Sequence, residues 1–130
     1  MKAKVTLIIK IKGLNMDLTN FRQLFEENII PVARTNIVGE YIEANGAYEK
    51  LIGYSLAELK KLAYPDITPK KWHSIEINHV YKHVFANGQM SYEKEYIHSS
   101  GQVIPVWADV YLIKCENNTE AGMWGTFKKQ

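Results

Sequence analysis

Alternation of apolar and polar residues predicts a strand at the start of the chain and a helix after it. Apolar and polar side chains alternate over Lys4–Lys12, with Ile8 the exception, which is the period of an amphipathic strand. The residues that follow Met16 repeat at spacings of three and four, which is typical of a helix. The apolar positions of this helix are Leu18, Phe21, Leu24 and Phe25. The pattern leaves open whether Met1 or Met16 is the first residue of the protein.

Five further strands are expected. Two are short, at Pro31–Arg34 and Glu40–Glu43, with a turn between them. Three follow near the end of the chain, at Gln89–Ile97, Val103–Lys114 and Ala121–Lys128. A turn over residues 116–120 is expected to join the last two strands, since it contains Asn117 and Asn118.

Three helices are expected between the two groups of strands. The first, Ala44–Ile52, ends at Gly53, as a C-terminal glycine indicates. The second runs from Ser55 to Leu62, and Ser55 with Glu58 has the spacing of a capping box. The third runs from about Pro69 to Ala86, before Asn87 and Gly88. Ideal helical geometry places His73, Ile77, Val80, Tyr81 and Val84 on one face of the third helix, and Glu76, His79 and His83 on the other.

This element order predicts an α+β fold with an antiparallel sheet and its central helices on one face. The long strand Val103–Lys114 carries apolar residues on both faces, so both faces of the sheet need cover. The central helices are expected to cover one face. The N-terminal helix or a partner subunit is expected to cover the other.

Composition is that of a single globular domain. The chain has 130 residues, of which 46% are hydrophobic and 23% charged, and no apolar run approaches the length of a membrane span. The first residues lack the apolar block of a signal peptide. The single cysteine, Cys115, allows no internal disulfide and no cysteine-based zinc site. A reducing, cytoplasmic location is therefore expected.

The charge distribution argues against nucleic acid as a partner. The net charge is +2, but four lysines lie within the first fifteen residues and no acidic residue accompanies them. The rest of the chain has 12 basic and 14 acidic residues and is slightly acidic. Nucleic-acid binding depends on clustered positive charge, which this body lacks.

Several short motifs, in this order and spacing, resemble a PAS domain with its C-terminal PAC half. The resemblance covers about Phe21 to Lys128, and its most specific piece is Gly53-Tyr54-Ser55 followed by Glu58-Leu59. The other pieces are Asn36-x-x-Gly39, Asn45-Gly46-Ala47, Tyr92–Ile97 with Gly101 and Pro105-Val106, and Gly122-Met123-Trp124-Gly125. Ser100 stands where the family usually has aspartate, and the chain ends at Gln130 where the family commonly continues into a helical linker.

The resemblance implies a PAS domain over residues 28–130, with a five-stranded antiparallel sheet, preceded by an extension over residues 1–27. It also implies a cytoplasmic sensory or interaction module of signal transduction that has no catalysis of its own. Such a module is expected to bind a small molecule or a signalling partner protein. It is expected to act as a homodimer through the N-terminal helix and the outer face of the sheet. Whether the chain is a whole protein or a fragment of one with an output domain stays open.

A ligand cavity is expected between the third helix and the sheet, because aromatic side chains with polar tips commonly line such cavities. The candidate lining residues are Asn45, Tyr54, His73, Ile77, Tyr81 and Trp107.

The cofactor is left open. His73 is the only candidate haem ligand, since some PAS domains bind haem through a histidine on this helix; the alternative is a core-edge histidine that forms hydrogen bonds near the helix start. Flavin is disfavoured because nothing like the Asn-Cys-Arg-Phe stretch of light-sensing relatives occurs between Gly53 and Trp72. His79 and His83 lie one helical turn apart but lack a third ligand, so no metal site is expected.

Two other functions remain as alternatives. The first is a dimerisation module with a filled core and no ligand. The second is a small α+β enzyme with a cone-shaped cavity, which would need a buried acid or base with a strongly shifted pKa. Asp66 and Asp109 are the carboxylates considered for that role, and neither has an evident partner in the sequence.

Overall fold

The structure is a computed structural model that describes residues 18–114 and 120–130. The predicted strand at Lys4–Lys12 lies outside these residues, as does most of the predicted turn over residues 116–120. Among the residues described, no helix is both long and apolar enough to cross a membrane.

Five antiparallel strands form one sheet, as predicted. The strands are β1 (Val32–Thr35), β2 (Tyr41–Ala44), β3 (Gln89–Ile97), β4 (Val103–Lys114) and β5 (Glu120–Lys129), in the spatial order β2-β1-β5-β4-β3. The turn between β1 and β2 is held by Asn36, whose Oδ1 accepts hydrogen bonds from the amides of Val38 (3.1 Å) and Glu40 (2.9 Å). Gly39 lies within this turn and has φ +91°, a conformation that favours glycine. The predicted boundaries of β3 and β4 are the observed ones, and those of β1, β2 and β5 differ from the observed ones by one residue at each end.

The helices lie between β2 and β3, apart from α1 (Leu18–Glu27), which precedes the sheet. They are α2 (Gly46–Ile52), α3 (Leu56–Leu59) and a composite helix α4 over residues 70–87, with a 3₁₀ turn at Tyr64–Ile67 before α4. Along α4, a 3₁₀ turn (Lys70–Trp72) and a short α-helical stretch (His73–Ile75) lead into a π-helical turn (Glu76–Val80). An α-helical end (Tyr81–Asn87) follows.

The predicted caps at Gly53, Ser55 and Gly88 are present. Ser55 Oγ accepts from the Glu58 amide at 3.2 Å and Glu58 Oε1 accepts from the Ser55 amide at 2.8 Å, so both halves of the capping box form at the start of α3. Gly53, with φ +78°, ends α2, and Gly88, with φ +85°, ends α4. α2 and α4 therefore end at the predicted glycines and α3 begins at the predicted cap, but α3 ends at Leu59, three residues before the predicted Leu62.

The two faces of the sheet have different cover. The inner face packs against α2, α3 and α4, and the even-numbered residues of β4 from Ile104 to Leu112 point toward it. On the outer face, Phe21 of α1 packs against Val32, Ile113 and Trp124. The prediction that the N-terminal helix covers the outer face is thus confirmed for the half of that face that contains Val32, Ile113 and Trp124.

The predicted faces of α4 are wrong at two positions. Ile77 was expected inside and is 58% exposed, whereas Glu76 was expected outside and is buried. The physical reason is that the π-helical turn departs from the uniform rotation of 100° per residue on which the prediction relied. Glu76 instead shares the buried face with Val80 and Val84, where a cation on β3 meets its carboxylate.

Candidate functional site

A cavity of about 50 Å³ lies between α4 and the inner face of the sheet. Fifteen residues line it: Ala33, Thr35, Tyr41, Tyr48, Tyr64, Val80, Tyr81, Tyr92, Lys94, Tyr96, Val110, Met123, Trp124, Gly125 and Phe127. β3 contributes three of them, because strand alternation directs Tyr92, Lys94 and Tyr96 to the same face. Lys94 is the only charged residue among them.

Six tyrosines line the cavity, and each contributes an apolar ring and a polar hydroxyl group. They are Tyr41, Tyr48, Tyr64, Tyr81, Tyr92 and Tyr96. The hydroxyls of Tyr41 and Tyr48 form a hydrogen bond of 2.5 Å, and the Tyr48 ring packs edge-on against that of Tyr96 with centroids 6.0 Å apart. Burial raises the pKa of all six phenols above the ordinary tyrosine value. The tyrosines are therefore neutral donors and acceptors at physiological pH.

A buried ion pair borders the cavity. Lys94 Nζ lies 2.7 Å from Glu76 Oε2, and each side chain is only 2% exposed. The Tyr92 hydroxyl donates to the same Oε2 at 2.6 Å, and Lys94 Nζ also donates to Thr68 Oγ1 at 3.1 Å. The pair thus joins α4 to β3 and to the loop that precedes α4.

The ammonium group of Lys94 has further support from aromatic rings. Nζ lies 4.3 Å from the ring centroid of Tyr96 and 5.1 Å from that of Tyr64, distances at which a cation is attracted to the ring face. Burial lowers the pKa of Lys94, while the charge of Glu76 and its hydrogen bond act in the opposite direction. The Glu76 carboxylate at 2.7 Å thus favours the charged form of the lysine, against the effect of burial.

One oxygen of the pair has no partner. Glu76 Oε1 is buried and accepts no hydrogen bond from any residue in the described parts of the chain. A buried acceptor without a donor is costly, so native proteins usually satisfy such atoms with a protein group, an ordered water or a ligand. Glu76 Oε1 is thus a buried hydrogen-bond acceptor without a donor, on the carboxylate that pairs with Lys94.

Of the six residues predicted to line the cavity, the structure places only Tyr81 there. Asn45 is the N-terminal cap of α2: its Oδ1 accepts from the amides of Val32 (3.0 Å) and Tyr48 (2.9 Å), and its Nδ2 donates to the Ile30 carbonyl (2.9 Å). Tyr54 packs at the edge of the core formed with α2 and α3. Both are structural neighbours of the core and lie outside the cavity wall.

Ile77 and Trp107 were expected in the cavity and lie on the surface. Ile77 is turned outward by the π-helical turn described above. Trp107 is 39% exposed on the outer face of the sheet, opposite Glu93 on β3 and Lys128 on β5. Its neighbours Val106 and Ala108 point inward, so alternation along β4 directs Trp107 away from α4.

His73 has the position of a core-edge histidine. Its Nε2 is 2.9 Å from the Thr68 carbonyl oxygen and 3.0 Å from that of Pro65, so this nitrogen carries the proton and donates to them. Binding iron through Nε2 would remove that proton and both contacts, and His73 is not among the cavity-lining residues. The cavity is also about a third of the ~150 Å³ space that accepts benzene, which is too small for haem or flavin. The residues present therefore do not fit either cofactor.

Metal binding finds no support in residues 18–114 and 120–130, which contain no cluster of three or more His, Cys, Asp or Glu side chains. His79 and His83 are exposed on α4, as predicted. The sequence analysis missed Lys94, the charged residue that lines the cavity, and Glu76, its buried partner. The signal that could have found Lys94 is its place between Tyr92 and Tyr96 on the apolar face of an alternating strand, where a lysine needs a buried anion.

No family model matches the sequence, and no curated protein matches it either. Solved structures do share its fold. A PAS domain from Colwellia psychrerythraea is 19% identical, with a TM-score of 0.78, over 87% of this chain and 96% of that one. A PAS domain from Desulfitobacterium hafniense is 24% identical, with a TM-score of 0.66, over 82% and 99% of the two chains.

A third likeness is to a domain of a sensory box sensor histidine kinase/response regulator from Geobacter sulfurreducens. It is 16% identical, with a TM-score of 0.63, over 85% of this chain and 92% of that one. All three likenesses span most of both chains. The chain has the fold of a PAS domain.

Proposed function

We propose that this protein is a cytoplasmic sensory or interaction module of signal transduction that holds a small molecule in its inner cavity and performs no catalysis. The observation that carries the proposal is the buried Lys94–Glu76 pair beside a tyrosine-lined cavity, with Glu76 Oε1 left without a donor. Buried ion pairs stabilise proteins weakly, so their presence in a core favours a functional explanation. The PAS fold supports the same class of function by analogy, because one of its solved examples belongs to a sensor histidine kinase.

The strand β3 offers a physical route from the cavity to the outer face of the sheet. Lys94 on β3 points to the cavity, while its neighbours Glu93 and Glu95 point the other way. Glu95 in turn accepts a hydrogen bond from Trp72 Nε1 at 3.1 Å and forms an ion pair with Lys71 at 3.0 Å. A ligand that moves Lys94 would therefore also disturb the contacts of Glu95 with the start of α4, at the edge of the sheet. It can change the output only by binding one arrangement more tightly than the other.

The outer face is the proposed interaction surface. α1 covers the half that contains Trp124, whereas the half around Trp107 and Val103 leaves these two apolar side chains 39% and 47% exposed. Exposed apolar residues beside a packed helix favour a second copy of the chain as the partner, with α1 and the outer face of the sheet forming the contact. A separate signalling partner protein is the alternative occupant of the same surface.

Native mass spectrometry of freshly purified full-length protein tests the ligand and the dimer together. We expect a dimer with a stoichiometric small adduct that is lost after denaturation and refolding. Sedimentation velocity of the protein before and after refolding then measures whether the loss changes the dimer dissociation constant. An identical dissociation constant in both samples would rule out the switching mechanism.

The dimer surface has a matched pair of variants. Trp107→Lys places a charge on the exposed half of the outer face and is expected to weaken dimerisation at least tenfold. Ile77→Lys adds the same charge at an even more exposed apolar position on α4, away from that surface, and should leave dimerisation unchanged. Equal effects of the two variants would mean that the outer face is not the interface.

A ligand-free dimerisation module is the second candidate function. The observation in its favour is the small size of the cavity, about 50 Å³, in a core that aromatic side chains otherwise fill. Under this alternative, ordered water satisfies Glu76 Oε1 and the dimer forms at the same affinity with or without small molecules. A native mass that corresponds to a bare dimer, unchanged by added small molecules, would favour it.

A further inference from the structure

A groove much larger than the inner cavity lies at one end of the sheet. Its volume is about 590 Å³, and it shares no lining residue with the inner cavity. Its walls come from residues 28–31 before β1, from α2, from residues 98–104 around the turn between β3 and β4, and from Lys129 at the end of β5. We call it the end groove. Pockets that hold small molecules have volumes of roughly 300–1,000 Å³, so the end groove has the size of a ligand site.

Hydrogen bonds fix the walls of the end groove against one another. Asn28 Oδ1 accepts from the Ala47 amide at 2.8 Å, which joins the segment before β1 to α2. The Ser99 amide donates to the Ile52 carbonyl at 3.0 Å, which joins the turn after β3 to the end of α2. The groove is therefore formed before a ligand arrives, and a preformed site avoids the cost of ordering its walls on binding.

Apolar side chains line the interior and one edge of the end groove. Ile104 is only 6% exposed and Leu51 is partly buried, so both lie deep in the groove. Ile29 lies at its edge and is 79% exposed. A ligand with an apolar body would cover these side chains, and the removal of apolar surface from water favours binding.

The ionic side chains at the end groove are cationic. Lys50 of α2 and Lys129 of β5 line it, and none of the described residues that line it is an aspartate or a glutamate. Both lysines are exposed, and neither forms an ion pair with a residue in 18–114 or 120–130. The acidic neighbour of Lys50 is already engaged, since Glu49 Oε2 accepts from the Leu56 amide at 2.6 Å. The groove therefore presents positive charge to a ligand.

Neutral hydrogen-bonding groups add to this positive charge at the turn between β3 and β4. Gln102 and His98 both line the end groove. His98 Nδ1 accepts from the Ser100 amide at 3.0 Å, so the proton of the neutral ring is carried by Nε2, which is a donor. Anionic oxygens accept hydrogen bonds, and bonds from ammonium and N–H donors to ionised groups are among the strongest in proteins.

The volume bounds the size of the ligand. About 590 Å³ is roughly four times the ~150 Å³ that accepts the six heavy atoms of benzene, so the groove holds up to about twenty heavy atoms. A ligand that matches both the apolar interior and the cationic lysines has an apolar body and an anionic group.

We propose that the end groove binds a small amphipathic organic anion, such as an aryl or medium-chain carboxylate, with its apolar body against Ile29, Leu51 and Ile104 and its anionic group paired with Lys50 and Lys129. This inference goes beyond the proposed function, because it assigns a second ligand site that is separate from the inner cavity. The ligand class is also one that the inner cavity, at about 50 Å³, is too small to hold.

Probes that separate charge from apolar contact test the proposal on the full-length protein. Naphthaleneacetate has an apolar body and a carboxylate, and naphthaleneacetamide has the same shape without the charge. Naphthylethylamine has a similar body with a positive charge, and acetate has the negative charge without the body. Each probe is titrated into ¹⁵N-labelled protein, and binding is read from saturable shifts in the amide signals of Ile29, Ala47 and Gln102.

We expect naphthaleneacetate to bind at least fivefold more tightly than each of the other probes, which is the effect of two partly exposed ion pairs. Equal or tighter binding of the amide or the amine would overturn the proposal, as would the absence of saturable shifts with naphthaleneacetate. Shifts confined to residues of the inner cavity, such as Tyr92 and Tyr96, would overturn it as well.

A pair of double variants tests the two lysines. Lys50→Gln/Lys129→Gln removes both cations and should weaken the binding of naphthaleneacetate at least fivefold while changing that of the amide by less than about twofold. Lys60→Gln/Lys61→Gln is the matched control, since it changes the net charge equally at two exposed positions outside the end groove. Equal losses in the two double variants would show that net charge alone attracts the anion, and would overturn the proposed site.

A third variant tests the apolar contact. Ile29→Ala should weaken the binding of naphthaleneacetate and of its amide by the same factor, because it removes apolar surface and no charge. Val38→Ala is the control, at a residue that is 65% exposed in the turn between β1 and β2 and does not line the end groove. An effect of Ile29→Ala no larger than that of Val38→Ala would contradict the position of the apolar body.

The same spectra test a second copy of the chain as the occupant of the end groove. Without any probe, the amide signals of Ile29, Ala47 and Gln102 should not depend on the protein concentration. Signals that shift on dilution would show that another copy of the chain covers the groove, and would overturn the proposal of a small-molecule site.

Discussion

Phe21 of α1 packs against Trp124 of β5 in an edge-to-face arrangement, with ring centroids 5.3 Å apart and an angle of 65° between the ring planes. Phe21 is completely buried, although it belongs to a helix that precedes the sheet in the chain. The Arg22 guanidinium, 5.0 Å from the Phe21 ring centroid, also reaches Glu43 of β2 at 3.0 Å. The N-terminal helix is therefore an integral part of the fold.

Replacement of Phe21 measures how much the packing of α1 contributes to the free energy of unfolding. Phe21→Ala removes a fully buried aromatic ring and should lower the free energy of unfolding by about 3–5 kcal/mol, the usual range for such truncations. Urea unfolding followed by circular dichroism and by tryptophan fluorescence measures the change. Ile29→Ala, at a residue that is 79% exposed, is the control and should change stability by less than about 0.5 kcal/mol. A loss below about 1 kcal/mol for Phe21→Ala would mean that α1 contributes little to the packed domain.

The buried pair predicts strongly non-additive effects of mutation. Lys94→Met leaves the Glu76 carboxylate buried without its cation, and we expect a loss of about 3–5 kcal/mol in the free energy of unfolding. The double variant Lys94→Met/Glu76→Leu removes both charges and should recover most of that loss, since apolar residues of similar volume often replace buried pairs at little cost. A double-mutant cycle by urea unfolding gives the coupling energy. Additive single effects would contradict the observed pairing, and Lys82→Met is the exposed control on α4.

The local elements of the fold were predictable because their signals lie close together in the sequence. Ser55 and Glu58 form their capping box within one helical turn, and the Gly53 amide that ends α2 bonds to the Glu49 carbonyl, four residues earlier. The Lys94–Glu76 pair was missed because its partners lie on different elements that meet only in the folded chain. The π-helical turn then reversed the expected positions of Glu76 and Ile77, an effect that a uniform helical period cannot show.

The cavity tyrosines predict a steep loss of stability at alkaline pH. Burial raises the pKa of six phenols in the folded state, so above about pH 10 the unfolded chain ionises them while the folded chain does not. The folded state then binds more protons, and its stability is complete below about pH 10 and falls as the pH rises further. Lys94, whose pKa burial lowers, acts in the opposite direction, but it is one group against six.

Tyrosinate absorbance and near-ultraviolet circular dichroism, recorded together during an alkaline titration, check this prediction. Most of the absorbance increase should coincide with the loss of the circular dichroism signal, because the cavity tyrosines ionise only when the core opens. Ionisation of most tyrosines near pH 10 with the circular dichroism signal intact would contradict the burial of these phenols.

Asn45 predicts a loss of stability on substitution, and for an aspartate in its place the size of the loss depends on pH. Its Oδ1 accepts from the Val32 and Tyr48 amides and its Nδ2 donates to the Ile30 carbonyl, all in the interior. Asn45→Ala should cost about 3 kcal/mol, because it removes a helix cap and leaves buried polar groups without partners.

Asn45→Asp keeps the two acceptor contacts but turns a carboxylate oxygen toward the Ile30 carbonyl, which disfavours the charged form in the folded state. A protonated aspartate can donate to that carbonyl, so the folded-state pKa is expected to lie above the unfolded value of about 3.9. The contribution of this group is then fully present below about pH 3.9 and is lost as the pH rises through the folded-state pKa. Relative to the unmodified protein, the variant should therefore be less destabilised at acidic than at neutral pH in urea unfolding. Asn78→Asp, at an exposed position on α4, is the matched control, and a pH dependence equal to that of the control would show that Asn45 does not donate to Ile30.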